Sequence, residues 1–257
     1  MTHSNPLPAR VRSLFLSDLH LGYWISKGQD AIEILDVVSA ENVYLVGDIV
    51  DETRLKLNWC WPDEYQATLD RILSLLTSEP RVFAVPGNHD LFLRSESPLS
   101  DLADEDRLCK ILKPMLSFER AESFDYVTVT GKRIFVTHGD LFDTVWQSEL
   151  GVTKFGARTF DRVNRWLPRS LVIWTRDFFK LFLARPREIE HKIIEFAISK
   201  GYDGAIFGHL HEPKLYRKDD FIVGNCGDWV SNQSFLVETL DGQLELYNFK
   251  KLVDSLA

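Results

Sequence analysis

The stretch Asn42-Val43-Tyr44-Leu45-Val46-Gly47-Asp48-Ile49-Val50-Asp51 decides the fold class. Its β-branched and aromatic run reads as a buried strand, and the Gly-Asp that follows reads as the exit into a loop. Upstream, Val11 to Leu16 is a second such run and leads into Ser17-Asp18-Leu19-His20. Between the two strands Ala31, Ile32, Ile34, Leu35, Val37 and Val38 recur at helical spacing. Downstream, Tyr65, Leu69, Ile72, Leu73 and Leu76 make another helical face before Arg81 to Val85 runs into Pro86-Gly87-Asn88-His89-Asp90. Strand and helix alternating in this way predict an α/β fold with a parallel core. Ligands in such sheets bind beyond the carboxyl ends of the strands, where all three polar blocks fall.

The second half continues the pattern with hairpins. Asp125 to Thr130 and Arg133 to Thr137, separated by Gly131-Lys132, predict a hairpin that delivers His138-Gly139-Asp140. Gly204 to Phe207 precedes Gly208-His209-Leu210-His211, and further strand-like runs lie at Phe221 to Val223, Phe235 to Glu238 and Leu244 to Tyr247. Asp241-Gly242 between the last two is a hairpin turn signal. Five of the seven histidines thus sit in short blocks that follow apolar runs, leaving His3 and His191 as solvated or structural residues.

At 257 residues and 45% hydrophobic content the chain can bury a full core, and a single domain over 1–257 is expected. The formal net charge of −8 disfavours a protein built to grip a nucleic acid backbone, so no nucleic acid partner is expected. Cys60, Cys109 and Cys226 show no CxxC spacing and suggest neither a disulfide framework nor a zinc knuckle. The polar N-terminus lacks a secretory apolar core and no run is long enough to span a bilayer, which predicts a cytoplasmic location.

One region differs in character. Gly151 to Glu190 holds nine Lys or Arg residues against Asp161, Asp177, Glu188 and Glu190, interleaved with Phe155, Phe160, Trp166, Trp174, Phe178, Phe179 and Phe182. It reads as a mostly helical, amphipathic insertion broken at Pro168 and Pro186, within a lid spanning 142–200. Two readings stand: a basic helix covering the sheet edge, or an acyl-binding or membrane-facing surface that gives the chain peripheral contact with an inner membrane.

The blocks carry metal chemistry. Asp18 and His20 are two residues apart, so in extended backbone both side chains leave on one side and can bind one ion; His209 and His211 share that spacing. Asp48 is a carboxylate able to bridge two cations, Asn88 adds an amide oxygen and His138 another imidazole. Three oxygen and four nitrogen donors suit Mn, Fe or Zn better than Mg or Ca, and manganese is the expected ion. A pair of such ions acidifies water and stabilises the oxygens of an in-line displacement at phosphorus, with no Ser or Cys nucleophile needed.

The order DxH, GDxxD, GNHD, HGD and GHxH across residues 18 to 211 resembles the calcineurin-like metallophosphoesterases. The resemblance implies a sandwich of two mixed β-sheets flanked by helices. It implies that Asp18, His20, Asp48 and His211 hold one divalent ion, and Asp48, Asn88, His138 and His209 a second. It also implies that His89 faces the substrate phosphate, with Asp90 as its orienting partner. Within that superfamily, Tyr44 to Asp51, His138 to Asp143 and Gly224 to Val230 look most like the UDP-2,3-diacylglucosamine diphosphatase group, which cleaves a nucleotide-lipid pyrophosphate in lipid A synthesis. In the GNHD block His89 stands where the lipid A enzyme carries Arg.

Simpler explanations compete at several positions. Asp51 and Asp140 are either anchors for ligands or ordinary turn residues. Asn225, Gly227 and Asp228 either close the pocket near the metals or make a turn, and Trp59, Trp61 and Pro62 read as a cap on the core. Soluble phosphoesters and nucleotides are the alternative substrates. A binding protein that keeps the fold without the chemistry is the alternative class, against which all seven ligands are present.

Overall fold

The structure is a computed structural model and describes residues 7–77, 80–94, 106–143 and 186–256. In its first half β1 (Arg10–Leu16), α1 (Ala31–Val37), β2 (Ser39–Val46), α2 (Glu52–Leu57), α3 (Asp63–Ser74), β3 (Arg81–Val85) and α4 (Arg107–Leu112) follow one another; the apolar periodicities predict β1, α1, β2, α3 and β3, while α2 and α4 have no counterpart in the sequence reading. Then follow β4 (Glu119–Arg120), β5 (Ser123–Val127), β6 (Arg133–Thr137), α5 (Pro186–Ser199) and β7 (Gly204–Phe207). The chain ends in β8 (Lys214–Lys218), β9 (Phe221–Asn225), β10 (Ser234–Glu238), β11 (Leu244–Asn248) and α6 (Phe249–Leu256).

The strands form two mixed sheets, ordered β11-β10-β1-β2-β3-β4 and β5-β6-β7-β9-β8. In the first, β1, β2, β3 and β4 are parallel, β10 runs antiparallel to β1 and β11 antiparallel to β10; in the second, β6, β7 and β9 are parallel and flanked by antiparallel edges. Side chains alternate across each strand, so one face of each sheet meets helices and the other meets its fellow sheet. Leu14, Leu16, Val43, Leu45, Val82 and Ala84 pack with Ile34, Leu35, Leu69 and Ile72 of α1 and α3. On the opposite face Phe15, Tyr44 and Phe83 occupy paired register positions and stack at 5.0 and 4.7 Å, meeting Tyr126, Ile134, Val136 and Ile206 of the second sheet. Phe135, Ala205, Phe207 and Val223 then pack outward against Ile189, Ile193 and Ala197 of α5. The result is a helix, sheet, sheet, helix sandwich.

Some boundaries differ from the sequence reading. β5 stops at Val127, before the expected Thr130, because Thr128 N–H turns to the Lys132 carbonyl at 2.9 Å and Gly131 adopts φ +82°. β8 has no counterpart in the reading; its Lys-Leu-Tyr-Arg-Lys sequence is mostly exposed, as suits an edge strand protected by charge. α5 begins at Pro186, where the missing N–H costs a helix nothing. Residues 144–185, and with them most of the basic aromatic stretch, lie outside the described residues. Trp59 and Trp61 pack against the helix-side core. No helix among the described residues is long and apolar enough to cross a membrane.

Candidate metal centre

Each candidate ligand leaves the carboxyl end of a strand. Asp18 and His20 follow β1, Asp48 follows β2, Asn88 follows β3, His138 follows β6, and His209 and His211 follow β7. The loops are tied by their backbones across both sheets. Asp18 N–H donates to Gly47 O at 3.0 Å, His20 N–H to Asp48 O at 2.8 Å, Gly208 N–H to His138 O at 3.0 Å and Trp229 N–H to Asp18 O at 3.1 Å.

The convergence does not come from strand alternation. Asp18, His20, Asp48, His209 and His211 have φ of 55, 48, 54, 61 and 56°, the left-handed region that non-glycine residues rarely enter. The expectation that Asp18 and His20 share a side in extended backbone is therefore corrected: both residues are left-handed, one on each side of Leu19, and the segment is not an extended strand. Such conformations cost on the order of 1–3 kcal/mol each and persist where the surroundings over-determine them. Two glycines permit the crowding. A Cβ on Gly47 would stand 2.3 Å from His138 Nδ1, and one on Gly208 would stand 1.9 Å from Ser17 Oγ.

Asp48 sits between two groups of imidazoles, its Oδ2 lying 3.5 Å from His138 Nε2 and 3.7 Å from His20 Nε2. Asp18 Oδ1 lies 3.0 Å from His211 Nε2 and 3.6 Å from His20 Nε2. The donor atoms of Asp18, His20 and His211 fall within 4.8 Å of one another, and so do those of Asp18, Asp48 and His138. Asp18 Oδ1, His20 Nε2 and His138 Nε2 are buried and meet His211, Asp48 or one another only as ion pairs at 3.0–3.7 Å, without a well-formed hydrogen bond, and Asn88 Oδ1 is buried with no hydrogen-bond partner. Leaving a buried polar atom unmet costs about 1–3 kcal/mol. Divalent cations would meet these donors, so the residues present fit the ions that their chemistry implies.

The opposite nitrogens of the imidazoles are held. His20 Nδ1 is 3.2 Å from Asp51 Oδ2, His211 Nδ1 is 2.5 Å from Asp228 Oδ2, His209 Nε2 is 3.1 Å from Asp143 Oδ2 and His138 Nδ1 is 2.8 Å from Val46 O. Such partners fix ring orientation and tautomer in metal sites. Asp51 thus acts as an anchor, Asp228 both holds His211 and makes the turn by accepting from Ser231 N–H and Asn232 N–H at 2.8 Å, and Asn225 pins the loop of His209 by donating to Gly208 O at 3.2 Å. Asp143 is the partner that sequence reasoning missed; its five-residue spacing from His138 inside one short loop was the available signal.

His89 and Asp90 do not form the expected pair. Asp90 is fully buried, its Oδ1 accepting from Gly87 N–H at 2.5 Å and its Oδ2 from Ile49 N–H at 2.8 Å, so it welds two ligand loops together. His89, whose side chain is 21% exposed, places Nδ1 2.9 Å from Asp51 Oδ1. Asp51 therefore orients His20 and His89 at once, and its Oδ1 also caps α2 by accepting from Arg54 N–H at 2.9 Å.

Burial opposes charge throughout this cluster, and the ion pairs decide the outcome. Burial would raise the Asp18 carboxyl, yet His211 and His20 hold it well below its ordinary range. Asp48 is held down in the same way by His138 and His89, and Asp51 by His89 and His20. Burial would lower the imidazoles, yet Asp18 and Asp51 bring His20 up to about 9, and Asp48 brings His138 up to about 10. Asp90 is pushed up to about 7 by burial and by the charge of Asp48, against the pull of its two N–H donors. This concentration of carboxylate charge holds protons in places that a cation would take.

The sequence profile of the calcineurin-like phosphoesterase family matches residues 11–213, which include every one of these loops except the one carrying Asp228. The chain belongs to the calcineurin-like phosphoesterases. A search of curated proteins gives no match. Among solved structures this phosphoesterase is similar to an archaeal phosphodiesterase, 16% identical over 92% of this chain and 99% of that one, with a TM-score of 0.46. It is also similar to the phosphoesterase YfcE from E. coli, 17% identical over 90% and 95% of the chains at a TM-score of 0.43. Vacuolar Protein Sorting 29 from Cryptosporidium parvum is 15% identical over 92% and 95%, at a TM-score of 0.44. Membership in the family together with the His and Asp clusters supports divalent metal binding and metal-dependent phosphoester hydrolysis by this phosphoesterase.

Proposed function

We propose that the chain hydrolyses phosphodiester or diphosphate bonds on a pair of divalent transition-metal ions, with manganese the first ion to test and iron and zinc the alternatives. The observation that carries this reading is that the donor atoms of Asp18, His20 and His211, and of Asp18, Asp48 and His138, fall within 4.8 Å of one another in two groups that share Asp18. Asp18, His20, Asp48 and His211 would hold one ion, and Asp48, Asn88, His138 and His209 the other. When bound, such a pair supplies Lewis-acid stabilisation of phosphoryl oxygens and acidifies water.

The protein's own contribution is placement and proton handling. Asp51 engages Nδ1 of His89, so donation to a departing oxygen falls to its other nitrogen, Nε2. Asp90 keeps the Gly87 and Ile49 loops in register so that His89 and Asn88 stay beside Asp48. A thiol nucleophile has no part: Cys226 is buried, and burial together with the charge of Asp18 pushes its thiol well above the ordinary value.

The finer reading of the substrate is a nucleotide-lipid diphosphate such as UDP-2,3-diacylglucosamine, supported by the likeness of Tyr44 to Asp51, His138 to Asp143 and Gly224 to Val230 to that group. A second reading, nucleotides or other soluble phosphodiesters, is favoured by His89 standing where the lipid A enzyme carries Arg. Metal-reconstituted protein offered UDP-2,3-diacylglucosamine, bis-p-nitrophenyl phosphate and cyclic nucleotides ranks the two. Turnover of at least one, abolished in Asp48→Ala and His138→Ala proteins that remain folded, is the expected result. Metal-loaded protein inert toward all of them would overturn the proposal.

A further inference from the structure

We infer that Arg94 is a positioning residue that assembles the second of the two metal subsites, an inference that rests on the two-ion reading above. Arg94 belongs to none of the five blocks, yet its guanidinium is a junction. Nη1 donates to Asp140 Oδ2 at 2.7 Å and Nη2 to Asp140 Oδ1 at 2.9 Å, a two-pronged pair. Nη2 also donates to Pro86 O at 2.9 Å, and Nε donates to Glu122 Oε2 at 3.0 Å. The planar fork of arginine can satisfy such a set at once, and lysine cannot.

The partners matter because of where they lie. Pro86 opens the loop that carries Asn88 at the end of β3 in the first sheet, and Asp140 follows His138 at the end of β6 in the second. Glu122 sits in the crossover between β4 of one sheet and β5 of the other, and its carbonyl accepts from Thr137 Oγ1, next to His138, at 3.2 Å. One side chain therefore ties together the two loops, from different sheets, that supply Asn88 and His138. Asp140 is buried while the Arg94 side chain is 18% exposed, so the pair is shielded from solvent and its geometry is firm.

The first subsite has its own ties between sheets and does not depend on Arg94. His209 N–H donates to Asp18 Oδ2 at 3.0 Å, Trp229 N–H to Asp18 O at 3.1 Å and Asn232 Nδ2 to His211 O at 2.8 Å. Loss of Arg94 should therefore weaken the two subsites unequally. The loop of Asn88 would lose its link to the loop of His138, while Asp18, His20 and His211 would keep their frame.

The test is titration of metal-free protein with Mn(II), read as two successive affinities by calorimetry, alongside thermal unfolding. In Arg94→Lys, which keeps a positive charge opposite Asp140 and so preserves the fold, one of the two affinities should fall about tenfold to a hundredfold, as removal of partners behind metal ligands does, and it should be the one that His138→Ala also removes. The other affinity should stay within about threefold. Arg94→Ala should show the same asymmetry with a lower melting temperature; if it fails to fold, Arg94→Lys decides. Wild-type protein that binds two ions, beside Arg94→Lys that loses neither or loses both in parallel, would overturn the inference while leaving the two-ion reading intact. Wild-type protein that binds no more than one ion would instead overturn the two-ion reading.

Discussion

His89 Nδ1 lies 2.9 Å from Asp51 Oδ1, and the other oxygen of the same carboxylate lies 3.2 Å from His20 Nδ1. A candidate metal ligand and a candidate proton donor are thereby oriented by one residue. Asp51→Asn should keep the helix cap and the volume while losing the charge that fixes both rings. Turnover is expected to fall roughly 100-fold, the scale of a single general acid. The decisive measurement is a series of aryl and alkyl phosphodiesters: the loss should grow as the leaving alcohol becomes more basic. An equal loss across the series would remove proton donation by His89 and leave only a metal-positioning effect.

Metal loading should release protons. Without ions, His20 is raised from 6.5 to about 9 and His138 from 6.5 to about 10, so both are protonated at neutral pH. A ligating imidazole must be neutral, so binding near pH 7.5 should expel about two protons, and affinity should rise with pH through that range. Calorimetry in buffers of different ionisation enthalpy measures the number directly. No dependence on the buffer would contradict the assignment of these two rings as ligands.

The same shifts set a stability profile for the metal-free chain. A group whose folded pKa is raised above its unfolded value contributes stability that is complete below the unfolded pKa and disappears as pH rises through the folded one. For His20 and His138 that window opens near 6.5 and closes at about 9 to 10. Metal-free protein should therefore melt at a lower temperature at pH 9.5 than at pH 6.5. Metal-loaded protein should show a smaller change. Parallel curves from thermal unfolding would show that these imidazoles do not carry the dependence.

Much of this site was readable from the chain because each ligand block directly follows an apolar run, which places it at a strand end before any packing is known. Val11 to Leu16, Asn42 to Val46 and Gly204 to Phe207 all became strands, and the polar residues after them met. What escaped the reading depends on contacts distant in sequence or on backbone shape. Nothing local says that Asp18 and His20 turn through positive φ, or that His89 reaches Asp51 rather than its neighbour Asp90. Arg94 and Asp143 gain their meaning only from the loops that fold against them. β8 stayed hidden because an edge strand with exposed Lys and Arg lacks the apolar alternation by which strands are recognised.

Gly47→Ala tests whether backbone crowding is part of the site. Gly47 has φ +81°, and an added Cβ would stand 2.3 Å from His138 Nδ1 and 2.4 Å from its Cγ, on a ring whose Nδ1 faces Val46 O. The ring cannot retreat without leaving Asp48. Forcing a methyl group into packed surroundings costs about 1–3 kcal/mol, so urea unfolding should show a loss of that order. Metal binding should weaken at the same time. A variant with unchanged stability and unchanged metal affinity would mean that the loop tolerates movement, and that the left-handed turns are not what holds the ligands together.

A control lies away from the ligand loops. Glu238, at the end of β10, is fully buried; its Oε1 accepts from Val129 N–H at 2.9 Å, and its Oε2 accepts from Tyr126 OH, which itself accepts from Ser13 Oγ at 2.9 Å. Burial and the hydrogen bond to Glu238 both push the Tyr126 phenol above its ordinary range, so it stays a neutral donor. Tyr126→Phe removes that donor and leaves a buried carboxylate oxygen short of a partner, a loss of about 1–3 kcal/mol in unfolding free energy. Because β10 runs antiparallel to β1, Glu238 lies toward the end of the sandwich opposite Asp18 and His20. Turnover and metal affinity should therefore be unchanged at temperatures where the variant is folded. A large fall in either would show that the two ends of the sandwich are mechanically coupled.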